Sequence, residues 1–287
     1  MTASAAAALV FGGAGVVPAR AESLNAVLAQ AASRVAGDVA VLPAAEGESV
    51  TVTTAQEFID ALTKGTAPII KIGANIDLND VPGGSKTVQN AINNAASKRS
   101  VVIESAEGGR YTLDFGTYAF NMGTGTTTNQ NVTVTMKNLD LYGQNYYSMV
   151  SNAGTYNFEN VTYTGSQMVY ATKGDINYYG DVTAKSVVSF TNAATGKTYN
   201  TAGSGNQQVI EGGTAIFKAG SNVTLATEAG NVLEIKSGGS GVIVEEGANV
   251  TIAPRSKVTA EHPRLPEDTL TVSTSTARTS SSSRARP

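Results

Sequence analysis

The segments VTVTMKNLDLYGQ (132–144), TYNFENVTYTGSQ (155–167) and INYYGDVTAKSVV (176–188) follow one another on a single plan. Each alternates apolar with polar residues, breaks at an Asn or Asp, and resumes the alternation. Asn138, Asn160 and Asp181 lie 22 and 21 residues apart, and the apolar pairs Met149-Val150, Met168-Val169 and Val187-Val188 recur every 19. Period-two alternation marks a half-buried strand, and a repeat near twenty residues has the length of one solenoid turn. Such a turn, holding two or three short strands, returns the chain about 4.8 Å further along, the spacing of hydrogen-bonded strands. The sequence therefore predicts an all-β chain built as a parallel β-helix. Asn138, Asn160 and Asp181 are expected to stack at one corner, where short polar side chains tolerate left-handed backbone angles and bond neighbouring backbone groups. The alternative is three unrelated turns in a β-sandwich. Register in the third segment is open: counting back from the corner aligns Met136, Phe158 and Tyr179, whereas alternation points Ile176 and Tyr178 inward.

Working outward, the plan resumes in FKAGSNVTL (217–225) and VEEGANVTI (244–252), with Gly220/Gly247, Asn222/Asn249, Val223/Val250 and Thr224/Thr251 identical at an offset of 27. Val232, Leu233 and Ile235 supply a strand between them. Residues 191–206, rich in turn formers, are expected to project as a loop. On the N-terminal side, Thr54-Ala55-Gln56-Glu57 is a capping box, and Phe58, Ile59 and Leu62 give the helix it opens one apolar face. A helix here suits a solenoid, whose first coil exposes an unpaired strand edge and an open core. Short strands are expected at 69–72, 75–78, 101–103 and 111–115, with a second helix or loop at 88–96.

The ends differ from this centre. Residues 5–17 form a small, apolar run too short to span a bilayer, and Ala19-Arg20-Ala21 gives an A-x-A cleavage pattern, so residues 1–21 are expected to be a secretory signal, although no basic residue precedes Ala5. Residues 22–49 form a linker in which Leu24, Val27, Leu28, Ala31 and Val35 allow a short helix. The solenoid is expected over 50–254. Residues 255–287, Ser/Thr-rich and poor in apolar side chains, are expected to be a disordered tail.

Composition excludes several classes of function. The 287 residues include 30 glycines, no cysteine and no tryptophan, with 15% charged residues and a net charge of -3. Cysteine-ligated metal and disulfides are ruled out. Bulk attraction to nucleic acid is not expected, nor is membrane insertion once the signal is removed. His262, the single histidine, falls in the tail, so imidazole catalysis and a Ser-His-Asp arrangement have no candidate. Asp114, Asp140, Glu159, Asp175 and Asp181 occupy different phases of the repeat, so no calcium site is expected and no cofactor is implied. No carboxylate pair at matching phase on adjacent coils is apparent for a glycosidase. The four Asn-Val-Thr triplets, at Asn131, Asn160, Asn222 and Asn249, match a glycosylation pattern but are better explained as corners turning into strands.

Tyrosine stands out instead. Eight of eleven lie between Tyr142 and Tyr179. Tyr156 and Tyr163 have inward phase; others are placed to stack on sugar faces while lysines take hydrogen bonds. The candidate carbohydrate-binding residues are Lys137, Tyr142, Tyr146, Tyr147, Tyr170, Lys173 and Lys185. Tyrosines that merely fill and ladder a β-solenoid are the bland alternative.

The phrase VTVTTAQEFIDALTKGTAPIIKIGANIDL (50–78), followed by MKNLDLYG and FENVTYTG, resembles the pectate-lyase-like adhesive domain of Gram-positive surface adhesins, including the serine-rich repeat type. The resemblance implies a right-handed parallel β-helix that binds polysaccharide or host glycoprotein glycans at the cell surface without catalysis; the chain is expected to be a monomer. Pectate lyases proper use calcium-binding aspartates and an arginine base, and no arginine occurs here between Arg110 and Arg255. A polysaccharide lyase or hydrolase and a ligandless spacer are the alternative functions.

Overall fold

The computed structural model describes residues 7–9, 39–43, 46–81, 99–122, 129–145, 147, 149–171, 174–201, 209–228, 231–235, 241–253 and 270–273. The expected helices at 24–35 and 88–96 lie outside these residues, as do most of the signal and tail. The described chain winds as a parallel β-helix with three faces. On the first face run Ser49–Val52, Ile69–Ile72, Val101–Ser105, Asn129–Lys137, the first halves of Ala153–Gly165 and Asp175–Ser186, then Thr214–Phe217 and Gly241–Val244. The second face stacks Ile76–Asp77, Tyr111–Asp114, Leu139–Gly143, the second halves of the two long strands, Asn222–Thr227 and Asn249–Ala253. The third face is a sheet of five short strands: Phe120–Asn121, Val150–Ser151, Val169–Tyr170, Ile210–Gly212 and Leu233–Ile235.

Alternation sets what lies inside. Met136, Phe158, Tyr178 and Phe217 stack through successive coils, all at most 1% exposed. The rings of Phe158, Tyr178 and Phe217 lie nearly parallel, at 6.0 and 5.1 Å between centroids. Tyr156 and Tyr163 are buried as their phase required. Tyr178, not Tyr179, therefore takes the inward place. The reason is the corner, where Asn138 and Asn160 adopt φ of 54° and 52° and the next coil uses Gly180 at 58°. Asp181, expected at that turn, comes one residue later and begins the second face, pairing with Asn222. The polar ladder survives the slip. Asn160 Nδ2 donates to Asn138 Oδ1 at 3.3 Å, the Asp181 N–H donates to Asn160 Oδ1 at 3.0 Å, and Asn222 Nδ2 donates to Asp181 Oδ1 at 3.3 Å. Asn249 continues the column, whereas Asn131 belongs to a strand ahead of the corner, so the four triplets do not share one place.

The helix α1 (Ala55–Thr63) closes the first coil. Its capping box is formed as expected, and Phe58 packs edge-on to Phe115 and Phe120 at 6.1 Å from each. At the other end, Ala7–Leu9 pairs antiparallel with Gly241–Val244, and Leu270–Ser273, within the tail expected to be disordered, pairs antiparallel with Asn249–Ala253. The Ala40 N–H donates to the Ala219 carbonyl at 2.7 Å. Ala40 thus sits near the late coils, whereas Ser49 belongs to the first.

Residues 187–201 depart from the expectation. Val187-Val188 does not continue the series of Met149-Val150 and Met168-Val169; Val209-Ile210 does, with Ile210 in register with Val169. After Val188 comes an antiparallel hairpin, Ser189–Thr191 with Thr198–Asn200. It folds back over the second face instead of projecting.

Candidate functional site

The hairpin lands on two buried carboxylates. Asp77 and Asp114 are in register on the second face, an adjacent-coil pair that sequence analysis did not find because Ile76–Asp77 is only two residues long. Asn192 is fully buried and its Nδ2 donates to Asp114 Oδ2 at 2.7 Å; the Gly116 N–H donates to Oδ1 at 2.8 Å. Lys197 Nζ reaches Asp77 Oδ2 at 2.7 Å and Asp80 Oδ1 at 3.0 Å, and the Tyr199 hydroxyl donates to Asp77 Oδ2 at 3.2 Å. Burial pushes the Asp77 carboxyl up, but the Lys197 and Asn79 donors outweigh it and hold the group below its usual value. Asp114 goes the other way, raised by its burial against the pull of its own donors, with the Asp77 charge adding to the rise. Burial and these two carboxylates push Tyr199 up to about 12. With Asp114 wholly buried and Asp77 covered by Lys197 and Tyr199, the pair fastens the hairpin and offers no open oxygen to a substrate.

The expected binding residues are spread over all three faces. Lys137 lies on the first, in an ion pair with Glu159 at 3.1 Å, with both side chains 13% exposed. It belongs to a column of alternating charge, Lys71, Glu104, Lys137 and Glu159. Tyr142 lies on the second face, its ring stacked on Phe190 at 5.5 Å and 17° and its hydroxyl accepting from the Ala193 N–H. That ring face is occupied by the hairpin, so Tyr142 is packing and not an open platform. Lys185 follows Tyr142 and Thr164 along the same column and is exposed. Tyr146 and Lys173 lie outside the described residues. Tyr147 and Tyr170 do come together, edge to face with centroids 5.7 Å apart and planes at 76°.

That pair stands on the third face. Tyr170 occupies the middle of a column formed by Asn121, Ser151, Tyr170, Glu211 and Glu234. Tyr147 is 57% exposed and tethered through Asn145: its N–H donates to Asn145 Oδ1 at 2.8 Å, and Asn145 Nδ2 donates to the Thr117 carbonyl at 2.7 Å. Gln167, buried beneath, donates from Nε2 to Glu211 Oε2 at 3.2 Å and to the Val169 carbonyl at 3.0 Å. Its own carbonyl accepts from the Tyr163 hydroxyl at 3.0 Å, which ties the column to the core. Sequence analysis missed Gln167, Glu211 and Glu234. Strands of two or three residues at uneven intervals carry no periodic signal, and only the aromatic clustering pointed here.

Tyr147 on its turn and the half-buried Tyr170 on the sheet thus stand beside a column of amide and carboxylate side chains. Residues 49–170 match the family of a putative pectate lyase-like adhesive domain. The matched segment runs from Ser49 to Tyr170, and so includes the cap, the Asn138–Asn160 corner, Tyr147 and Tyr170. Two solved structures are similar to the chain, both serine-rich repeat proteins titled SRRP, of L. reuteri strains 53608 and 100-23. The first is 21% identical with a TM-score of 0.46 over 62% of this chain, and the second 19% identical with a TM-score of 0.52 over 74%. The chain spans 59% and 63% of those two chains, so it is similar to a part of each. At 19% identity the likeness to the second supports the fold alone. No curated protein sequence matches the chain. Among the described residues no helix is long and apolar enough to cross a membrane, and no three acidic or histidine side chains gather as a metal site.

Proposed function

We propose that the chain is a secreted or surface-displayed adhesive module that holds polysaccharide or glycoprotein glycans without chemical change, and that the third face around Tyr147 and Tyr170 is where it holds them. The observation that carries this is Tyr147, a large aromatic 57% exposed on a pinned turn, standing at 76° to Tyr170. Two rings at a steep angle make a shallow corner in which a pyranose lays its apolar face on one ring while its hydroxyls reach the amides and carboxylates of the column. The signal-like N-terminus and Ser/Thr-rich tail support display outside the cell. The non-catalytic half of the reading draws on Arg110, whose guanidinium is committed to Asp140 at 2.9 Å and to the carbonyls of Asn160 and Leu139, and on the covered state of Asp77 and Asp114.

The test is a glycan array with the purified chain, followed by titration calorimetry of the best ligand against Tyr147→Ala and Tyr170→Ala. A central aromatic anchor is worth at least about 1.4 kcal/mol, so each variant is expected to bind about tenfold or more weakly. Unchanged affinity in Tyr147→Ala would move the site elsewhere, and an array without hits would leave a structural spacer as the function.

A further inference from the structure

The late end of the solenoid accepts strands from outside the series of coils. The coils themselves pair in parallel, but Ala7–Leu9 lies antiparallel on Gly241–Val244, and Leu270–Ser273 antiparallel on Asn249–Ala253. In the first of these pairs Ala7 stands opposite Val244, Ala8 opposite Ile243 and Leu9 opposite Val242. The Glu245 N–H donates back to the Phe217 carbonyl of the preceding coil, so by alternation Val242 and Val244 turn their N–H and C=O groups to the free side. Ile243 is then the non-hydrogen-bonded position between them. Gly241–Val244 reads Gly-Val-Ile-Val, with none of the charge or proline that blunts an exposed edge. Beside this edge, one coil earlier, Val39 and Val41 run past the corner at Ala219 and Gly220 and are 54% and 69% exposed.

Ala7–Leu9 falls within residues 1–21, expected to be a secretory signal. We infer that, once those residues are removed, Gly241–Val244 takes the same strand of a second copy of this chain, and that two mature chains pair late end to late end. The strand is self-complementary in the seat that Ala7–Leu9 fills. A second copy running antiparallel there sets its Val242 opposite Val244, its Ile243 opposite Ile243 and its Val244 opposite Val242. A two-fold axis through Ile243, perpendicular to the sheet, produces this pairing and lets Val242 and Val244 exchange N–H···O bonds across it. The same axis keeps the outward side of each first face outward and brings the exposed valines of both copies to the ends that meet. At the other end α1 closes the first coil, so association stops at a dimer and does not run on into a fibre.

The experiment is analytical ultracentrifugation of the whole chain beside its Ala7→Pro/Leu9→Pro variant, in which proline removes the two N–H donors that hold the N-terminal strand on the edge. The whole chain is expected to sediment as one molecule. The proline variant is expected to shift to a two-chain species as its concentration rises toward about 100 µM, the weak association that a small interface gives. Adding Ile243→Lys sets two like charges opposite each other across the axis and is expected to restore the single chain. Ile243→Cys in its place puts a cysteine into a chain that has none, about 4.5 Å from its copy between Cα atoms and within reach of a disulfide. Mild oxidation is therefore expected to link the proline variant into covalent dimers, and to leave the chain with an intact Ala7–Leu9 strand unlinked. A proline variant that stays a single chain at every concentration overturns the inference, as does a whole chain that is already dimeric. Assemblies larger than two, a dimer untouched by Ile243→Lys, or no disulfide-linked dimer through Ile243→Cys would overturn it equally.

Discussion

Asn160 shows how one side chain serves both halves of a β-helix turn. Its backbone sits at φ of 52°, and its amide donates to Asn138 while its oxygen accepts from the Asp181 N–H. A β-branched residue fits neither role, so Asn160→Val is expected to destabilise the chain by about 1–3 kcal/mol in a urea melt. Asn192 reads in the sequence as a loop asparagine whose loss would be silent. The structure reverses that expectation, because Asn192 is fully buried against Asp114. Asn192→Ala is expected to cost about 1–3 kcal/mol through the unsatisfied carboxylate it leaves; a melt unchanged from the parent would mean that the hairpin is not docked. The two carboxylates beneath it respond to pH with opposite signs. Asp77 is held below its usual value, so its contribution is full at neutral pH and is lost as pH falls through the depressed value; Asp114 is held above, so its share is present in acid and is lost as pH rises through the raised one. Lys197→Met is therefore expected to lower the Tm clearly at neutral pH, with the gap to the parent closing in acid as Asp77 takes up its proton. A gap of constant size would show that the Lys197–Asp77 contact contributes nothing through charge.

Elements with internal rhythm are legible in the sequence, and those defined by what they touch are not. The long strands Ala153–Gly165 and Asp175–Ser186 alternate through a dozen residues, and α1 carries both its capping box and its apolar face, so each stands where its pattern places it. The hairpin escapes because its sequence, TNAATGKTY, consists of turn formers. Its docking is specified by residues some 80 to 120 positions away, Asp114, Asp77 and Asp80. Val187-Val188 misleads for a related reason, since hydrophobic spacing cannot distinguish a strand of the stack from the root of an insertion. At α1 the physical claim is sharper. Phe58 is fully buried where the first coil opens, against Phe115 and Phe120, so Phe58→Ala is expected to cost about 3–5 kcal/mol by opening a cavity at the end of the core. A smaller loss in chemical denaturation would mean that the neighbouring rings collapse into the space.

At the scale of the whole molecule, the three faces divide the work. The first carries a ladder of alternating charge, the second a hairpin fastened over paired aspartates, and the third an exposed aromatic corner. The sequence shows the solenoid through its period and the tyrosines through their clustering. It does not show that Lys137, Tyr142 and Tyr170 point in three directions, because a coil of about twenty residues turns through every direction and residues close in the chain fall on different faces. Glu211 and Glu234 join the third face from beyond the hairpin, 41 and 64 residues after Tyr170, and only the stacking of coils brings them into its column. The most direct measurement is hydrogen–deuterium exchange of the whole chain with and without a saturating amount of the strongest glycan found on the array. Slower exchange confined to residues 145–151, 167–171 and 209–212, with the first face and the hairpin unchanged, is the expected result; protection centred on Lys137 or Lys185, with none around Tyr147 and Tyr170, would contradict it.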